Sequence, residues 1–159
     1  MADSAESPGL QLIWIGVRPY RRGIIGTPGS VMAQSGRGLE GDHAVRGRNR
    51  DRQLTLITAA DLEILASAIG RRIDPAELRR NLLLDGTNPS LRSGDRYRLG
   101  EVLLQVTGPC APCGRMREVL GNEGLLAMRG HGGVTARVLR GGILKLGDVL
   151  LPAQMDLFD

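Results

Sequence analysis

The chain has 159 residues, 42% of them hydrophobic, so it is long enough to fill one core and too short for two ordinary domains. Aromatic residues make up only 3%, which argues against a base-stacking nucleic-acid platform, and no apolar run reaches the length of a bilayer-spanning helix. The net charge is +4 and Lys145 is the only lysine, so nearly all basic residues are arginines, which bind phosphate bidentately; we expect a small anionic ligand, and neither direct nucleic-acid binding nor a membrane.

The N-terminal residues and the cysteine content indicate the cellular compartment. Residues 1–9 are small and polar and lack the charged and apolar regions of a signal peptide, so we expect a disordered tail. Cys110 and Cys113 are the only cysteines, and they are too few and too close together to staple a secreted scaffold. The sequence therefore predicts a cytoplasmic protein.

Short apolar segments bounded by glycine and proline turns indicate that most of the regular structure is strand. Between them, residues 36–43 form a glycine-rich segment with Asp42 and His43; we expect it to be irregular, with Asp42 as a turn or helix-cap acid. Turns at residues 91–95 and 144–148 share the pattern Leu-x-x-Gly-Asp, and each opens a further strand. In chain order, the other predicted strands are residues 10–17, the end of residues 26–32, and residues 53–57, 82–84 and 101–107.

Capping residues indicate two or three short helices. Thr58 followed three residues later by Asp61 is typical of a helix start, and Gly70 ends the apolar periodicity that follows. Residues 74–77 repeat this arrangement with a proline at the first helical position, and predict a shorter helix that ends near residues 79–81. Residues 115–120 also have helical character, and the glycine that follows them ends the run.

Many short strands with few helices predict a mainly β fold of the α+β kind. A closed or nearly closed β-barrel with two or three inserted short helices would pair the edges that such strands otherwise expose. The repeated turns at residues 91–95 and 144–148 then read as barrel corners. We predict that residues 10–152 form this single domain.

The two cysteines lie in a loop between a predicted strand and a predicted helix. The loop, residues 108–116, reads GPCAPCGRM, and its prolines and glycines stiffen and bend the backbone. Cys113 stands directly at the start of the helix, where the helix dipole, Arg115 and Arg117 favour a thiolate. We expect Cys113 to be the more reactive thiol.

The residues alone leave other functions open for this loop. Cys110 and Cys113 together would also suit a small thiol–disulfide exchange module, or a structural thiol in a tight loop. A zinc site would need four ligands, for which only His43 and His131 remain as nitrogen donors. A non-catalytic adaptor that presents its C-terminal tail is a third class.

Two further basic residues have a functional and a plain interpretation. Among the arginines of residues 46–52, Arg52 lies nearest a predicted strand, and we place it near the ligand. Arg79 beside Asn81 would suit the binding of an anionic oxygen cluster. The positive charge of Arg79 would equally suit the partial negative charge at a helix C-terminus. We interpret His131 as a loop residue with a satisfied hydrogen bond.

Several separated motifs, in the same order along the chain, resemble the MOSC domain, the domain of molybdenum cofactor sulfurase C-terminal regions. The resemblance extends roughly from residue 10 to residue 152, and it implies a β-barrel with added helices. The motifs that carry it are residues 38–43, 78–82, 106–113 and 132–139.

The resemblance implies a single reactive cysteine, at the position of Cys113, that carries persulfide sulfur or ligates molybdenum while loops hold a pterin cofactor. In members similar to the mitochondrial amidoxime reducing component, an arginine and an asparagine two residues apart help to hold that cofactor, which implies this role for Arg79 and Asn81. His43 stands where those members have a basic residue, and Thr58 lies in a hydroxyl-bearing stretch.

The resemblance also implies two possible classes of activity. It implies a molybdenum-dependent oxidoreductase, with N-hydroxylated compounds as substrates, or a sulfur transferase or carrier with a sulfur donor as partner. Cys110 and Ala111 replace two hydroxyl residues at the cofactor. The pyridoxal-phosphate domain of the sulfurase form is missing from this sequence, and a Schiff base would have to use Lys145, so we do not expect pyridoxal phosphate.

The C-terminal tail, residues 153–159, lies outside the barrel pattern and contains the only phenylalanine. The stretch from Gln154 to Phe158 resembles the short motif by which bacterial proteins dock in the groove of the DNA polymerase sliding clamp. In that mode Gln154 would make hydrogen bonds, while Met155, Leu157 and Phe158 would fill an apolar pocket. The alternative is that Leu157 and Phe158 fold back onto the barrel.

Overall fold

The computed structural model describes residues 10–20, 23–87, 91–111 and 114–153. Three sequence predictions lie outside the described residues: the tail of residues 1–9, the reactive Cys113, and the peptide motif from Gln154 to Phe158. No helix in the described part of the chain is long and apolar enough to cross a membrane.

Seven strands close into a barrel, which confirms the predicted fold class. Neighbouring strands are antiparallel except β4 and β5, which run parallel. Around the barrel the order is β1 (Leu10–Ile15), β10 (Val149–Pro152), β6 (Arg96–Leu99), β7 (Val102–Pro109), β8 (Val134–Arg140), β4 (Leu54–Thr58) and β5 (Leu82–Leu84).

A second, three-stranded sheet has the order β3 (Gly38–Leu39), β2 (Ser30–Gln34) and β9 (Gly142–Lys145). The expectation that residues 36–43 are irregular was therefore wrong in part, because this segment contains β3. Gly38 also lies against the segment that precedes β4: a Cβ there would lie 2.5 Å from the carbonyl oxygen of Gln53, so only glycine allows this approach of the two backbones.

The helix starts and stops follow the predicted caps. Thr58 caps α1 (Ala59–Ile69), accepting a hydrogen bond from the Asp61 N–H, and Gly70 ends it in the left-handed conformation. Asp74 forms a capping box at residues Pro75–Leu78, where the predicted shorter helix is a 3₁₀ helix. Helix α2 (Gly114–Ala127) is non-helical at Gly121, as predicted, but a second helical segment follows that the sequence did not predict.

The Leu-x-x-Gly-Asp pattern that residues 91–95 share with residues 144–148 has a structural basis. Asp95 accepts a hydrogen bond from the Arg92 N–H at 3.0 Å, and Asp148 accepts one from the Lys145 N–H at 2.8 Å. Both turns thus use an aspartate to bond the amide three residues earlier. They open β6 and β10, which pair with each other in the barrel.

Successive side chains of a strand point to opposite faces, so the barrel strands contribute to two apolar cores. Leu56, Leu82 and Leu84 belong to the barrel interior, whereas the intervening Ile57 and Leu83 face outward. The outward side chains pack beneath the two helices, whose contributions to this second core are Leu65, Met116 and Leu120. The helices therefore cover only one part of the outer barrel surface.

Candidate functional site

The thiol loop and the segment of residues 79–81 meet at one region of the barrel. Across the sheet Pro109 pairs with Val134, Val134 with Leu56, and Leu56 with Leu82. Three strand spacings separate Pro109 from Leu82, which is about 14 Å. The residues that follow β7, precede β8 and precede β5 therefore lie within one ligand-sized region.

Direct hydrogen bonds connect these segments. The backbone N–H of Cys110 donates to the carbonyl oxygen of Gly133 at 2.9 Å. The Nε of Arg80 donates to the carbonyl oxygen of Gly132 at 2.8 Å, and its Nη1 donates to the carbonyl oxygen of Leu78 at 3.0 Å. The Arg80 side chain is almost completely buried, with 2% exposed. Arg80 thus ties residues 79–81 to Gly132, which directly precedes the hydrogen-bond partner of Cys110.

A carboxylate and an imidazole form a close pair beside this loop. His131 Nδ1 lies 2.9 Å from Asp61 Oδ1. Asp61 is buried in the first turn of α1, whereas His131 is partly exposed. The interpretation of His131 as a loop residue with a satisfied hydrogen bond agrees with this contact, but the sequence did not identify its partner, which lies 70 residues away.

Asn81 is held by protein groups on every side. Its Oδ1 accepts from the backbone N–H of Thr55 at 3.0 Å and from the Thr55 hydroxyl at 3.3 Å. Its Nδ2 donates to the carbonyl oxygen of Gly16 at 3.0 Å and to Asp42 Oδ1 at 3.3 Å. A side-chain amide offers two donors and two acceptor positions, so all four are used. A direct role in holding a ligand, which stays a prediction, would require Asn81 to exchange one of these partners.

Asp42, Arg18 and His43 form a charged cluster next to Asn81. Asp42 caps the 3₁₀ helix His43–Arg46, as predicted, accepting from the Ala44 N–H, and it also accepts from the Arg18 N–H at 2.9 Å. Arg18 Nη2 lies 3.2 Å from His43 Nε2, which must be the acceptor because a guanidinium only donates. The Nε and Nη1 of Arg18 are buried and have no hydrogen-bond partner among the residues that the structure describes.

The environment of Asp42 predicts a pH-dependent stability. Burial raises the pKa of Asp42 above its ordinary value of 3.8, while the Ala44 N–H and the nearby His43 act in the opposite direction. A raised carboxyl pKa means that the folded state binds more protons than the unfolded state, so stability falls as pH rises through that pKa. Between pH 3 and pH 7 we expect wild type to lose unfolding free energy relative to Asp42→Asn, as measured by urea denaturation. A constant difference would contradict this.

The remaining predicted site residues are Thr58, Cys110, Arg79 and Arg52. Thr58 is buried at the cap of α1, one turn from the Asp61–His131 pair, and Cys110 is buried with 3% exposed. Arg79 is half-buried in the left-handed conformation, with φ 59°. Arg52 is half-buried, and its N–H donates to the carbonyl oxygen of Asn49 at 3.3 Å.

The sequence analysis did not single out a pair of threonines on the neighbouring strands β7 and β8. The hydroxyl oxygens of Thr107 on β7 and Thr135 on β8 are 2.6 Å apart, and both side chains are half-buried. Thr135 Oγ1 also donates to the carbonyl oxygen of Gly108 at 3.3 Å. A signal was present, since both threonines occupy outward positions in strands whose inward positions are apolar.

An apolar groove of about 590 Å³ lies beside the Arg18 segment. Val17 and Pro19, which flank Arg18, line it together with Gly41, which precedes Asp42. Isoleucines 24 and 25 and residues of β2 complete its wall. The charged cluster is thus next to a surface that would accept an apolar group.

The described residues contain no group of three or more histidine, cysteine, aspartate or glutamate side chains that would hold a metal ion by themselves. His43 contacts Arg18 and His131 contacts Asp61, so each nitrogen donor considered for zinc is engaged with a different partner. Any metal held here would need ligands from outside the described side chains.

A closed β-barrel in which Cys110 after β7 and the buried Arg80 before β5 are both hydrogen-bonded to residues 132–133 defines a recognisable class of domain. The family model for the MOSC domain matches residues 37–151, and this chain belongs to that family. No curated protein matches the chain.

Solved structures share the fold. The YuaD protein of Bacillus subtilis is 18% identical with a TM-score of 0.77, and the match covers 89% of this chain and 93% of YuaD. YiiM from Geobacillus stearothermophilus is 20% identical with a TM-score of 0.69, covering 91% of this chain and 75% of YiiM. YiiM from Escherichia coli is 23% identical with a TM-score of 0.67, covering 92% and 71%.

Proposed function

We propose that this MOSC domain handles sulfur or binds a molybdopterin cofactor through Cys113, as a sulfur transferase or carrier or as a molybdenum-dependent oxidoreductase. One observation carries the proposal: the hydrogen bonds from Cys110 to Gly133 and from Arg80 to Gly132 bring the thiol loop and the arginine–asparagine segment to the same strand end. These are the two motifs to which the MOSC resemblance assigns the chemistry.

The described donor groups fit an anionic cofactor. A phosphate monoester needs cationic or N–H donors, and the buried Nε and Nη1 of Arg18 have no protein acceptor in the described part of the chain. The half-buried Arg79 is a further cationic group in the same region. A molybdopterin carries its own dithiolene sulfurs, so one cysteine thiolate from the protein is a sufficient metal ligand.

In this proposal Arg18 and Arg79 bind and orient the pterin and its phosphate, and His43 fixes the Arg18 guanidinium. Asn81 acts through Asp42 and Gly16, by holding the segments on which these donors lie. When bound, the cofactor would supply a molybdenum centre for oxygen- or sulfur-atom transfer. The apolar groove beside Arg18 would receive the body of an N-hydroxylated substrate.

The alternative function is thiol–disulfide exchange by Cys110 and Cys113 together. Cys110 is 3% exposed, and its N–H is bonded to Gly133, so its sulfur is less accessible than an exchange reaction favours. The alternative predicts that both cysteines are needed, whereas the carrier or cofactor function needs only Cys113.

Single cysteine variants separate these functions. We expect Cys113→Ser to abolish uptake of sulfane sulfur from a persulfide donor and to abolish retention of molybdenum, measured by cyanide-released thiocyanate and by metal analysis of protein purified from cells that make molybdopterin. We expect Cys110→Ser to retain both. If Cys110→Ser loses sulfur uptake as completely as Cys113→Ser, the exchange pair is the better description. If wild type takes up neither sulfur nor molybdenum, the proposal fails.

A further inference from the structure

We propose that Arg18 and His43 form a proton-coupled oxyanion site, in which an anion that binds the Arg18 guanidinium is taken up together with a proton from solvent on His43. The inference deepens the proposed function and rests on it in one respect, because the oxyanion is there the phosphate of the cofactor. Neither a sequence motif nor the family resemblance assigned a role to Arg18 or linked His43 to proton uptake.

The main chain at Arg18 is fixed to the segment that carries His43. The Arg18 N–H donates to Asp42 Oδ1 at 2.9 Å, and the Arg18 carbonyl oxygen accepts from the His43 N–H at 2.8 Å. Asn81 Nδ2 donates to the same Asp42 oxygen at 3.3 Å and to the carbonyl oxygen of Gly16 at 3.0 Å. The two side chains therefore project from a backbone that a ligand does not have to order, which favours binding.

The Arg18 guanidinium has donors left for an anion. Its Nη2 lies 3.2 Å from His43 Nε2, while Nε and Nη1 are buried and have no hydrogen-bond partner among the described residues. Buried donors without a partner are uncommon in folded proteins and often mark the position of an ion or a water. A guanidinium presents two pairs of parallel N–H groups, and each pair includes one N–H of Nη2. His43 thus occupies one pair and leaves the other for two oxygens of an anion.

The coupled proton follows from the acceptor role of His43. A guanidinium only donates, so Nε2 is unprotonated in this contact. An anion on the remaining pair shares Nη2 with His43, which at ordinary hydrogen-bond lengths places its oxygen about 5 Å from Nε2. Negative charge at that distance favours the protonated imidazole, which donates instead of accepting. Without the anion, a protonated His43 would only repel Arg18. Proton and anion therefore favour each other, so anion affinity rises as pH falls.

The other charged groups around His43 include one competing proton acceptor. Asp42 caps the 3₁₀ helix that carries His43, and Arg46 lies in its last turn. Arg46 Nη2 is bonded to the backbone of the segment after β1, from which Arg18 faces His43. The acid that follows β3, Glu40, is exposed. Burial raises the pKa of Asp42, so this carboxyl is the other group that could take up a proton. A test has to distinguish His43 from Asp42.

Sulfate is a suitable probe, because its charge does not change between pH 6 and pH 8. Titration calorimetry at constant ionic strength gives its affinity, and buffers of different ionisation enthalpy give the number of protons taken up. We expect wild type to bind sulfate about tenfold more tightly at pH 6 than at pH 8, with net proton uptake. His43→Gln should still bind sulfate, since a glutamine amide oxygen can accept from Arg18 Nη2, but without pH dependence or proton uptake. Arg18→Gln should lose the binding.

His131→Gln is the matched control, since His131 is the only other histidine and is also half-buried, and it should leave proton uptake unchanged. Three results would overturn the inference: sulfate affinity that does not depend on pH, binding that survives Arg18→Gln, or proton uptake that persists in His43→Gln, which would assign the proton to Asp42 or another group.

A second measurement covers the case in which His43→Gln does not fold. NMR of wild type follows the ring signals of the two histidines separately, and sulfate should move the titration of the His43 signal to higher pH. A His43 titration that sulfate leaves unmoved would overturn the inference. Failure of the proposed function is distinguishable, because it is measured as a Cys113 that takes up neither sulfane sulfur nor molybdenum in a protein that binds sulfate with a proton.

Discussion

Asn81→Ala is expected to lower the unfolding free energy by about 3–5 kcal/mol, because the change leaves several buried polar groups without partners. The amide of Asn81 satisfies the N–H of Thr55, the carbonyl oxygen of Gly16 and one oxygen of Asp42. Each buried polar group left without a partner costs about 1–3 kcal/mol, and burial already disfavours the charged form of Asp42. Urea denaturation followed by circular dichroism measures the loss.

Asn122→Ala is the control for this change, since Asn122 is exposed on α2 and its replacement should alter stability by no more than about 0.5 kcal/mol. The comparison also separates two roles for Asn81. An Asn81→Ala protein that is nearly as stable as wild type but binds phosphate or pterin more weakly would make Asn81 a ligand-holding residue. A large stability loss, which we expect, makes it a clamp between the β1, β4 and β5 segments.

Features that depend on a few adjacent residues could be predicted from the sequence. The cap at Thr58, the capping box at Asp74 and the breaks at Gly70 and Gly121 depend on side chains that bond amides within one turn, or on a glycine conformation. The barrel itself could be predicted as a class, because short strands without free edges have few other arrangements. The extra helical segment after Gly121 could not, because its short apolar pattern gains stability only from packing.

The candidate site could be predicted only as a set of segments. Its position beside Asn81 and the family resemblance singled out Arg79, yet the guanidinium that is hydrogen-bonded to Gly132, just before β8, belongs to Arg80. The left-handed turn at Arg79 determines which of the two side chains turns inward, and nothing local in an Arg-Arg pair specifies that choice. The contact between Asp61 and His131 likewise arises only when α1 is docked on the barrel.

Gly133→Ala is expected to cost about 3–5 kcal/mol of unfolding free energy and to displace the support of the thiol loop. A Cβ at this position would lie 2.2 Å from the carbonyl oxygen of Leu56, far inside van der Waals contact, and the backbone has φ +84°. Since Leu56 pairs with Val134, relief of the clash must push β4 and β8 apart. Thermal or urea denaturation measures the stability, and the rate of Cys113 alkylation reports the loop.

Gly130→Ala separates the two causes of this loss. Gly130 has nearly the same backbone conformation, with φ +79°, but an added Cβ there meets nothing within 4 Å. Its replacement should therefore show only the cost of a left-handed alanine, about 1–2 kcal/mol. The excess in Gly133→Ala then measures the close approach of residue 133 to Leu56. If the two variants lose equal stability, the glycine at 133 is required for its conformation alone, and β4 does not constrain the residues that hold the thiol loop.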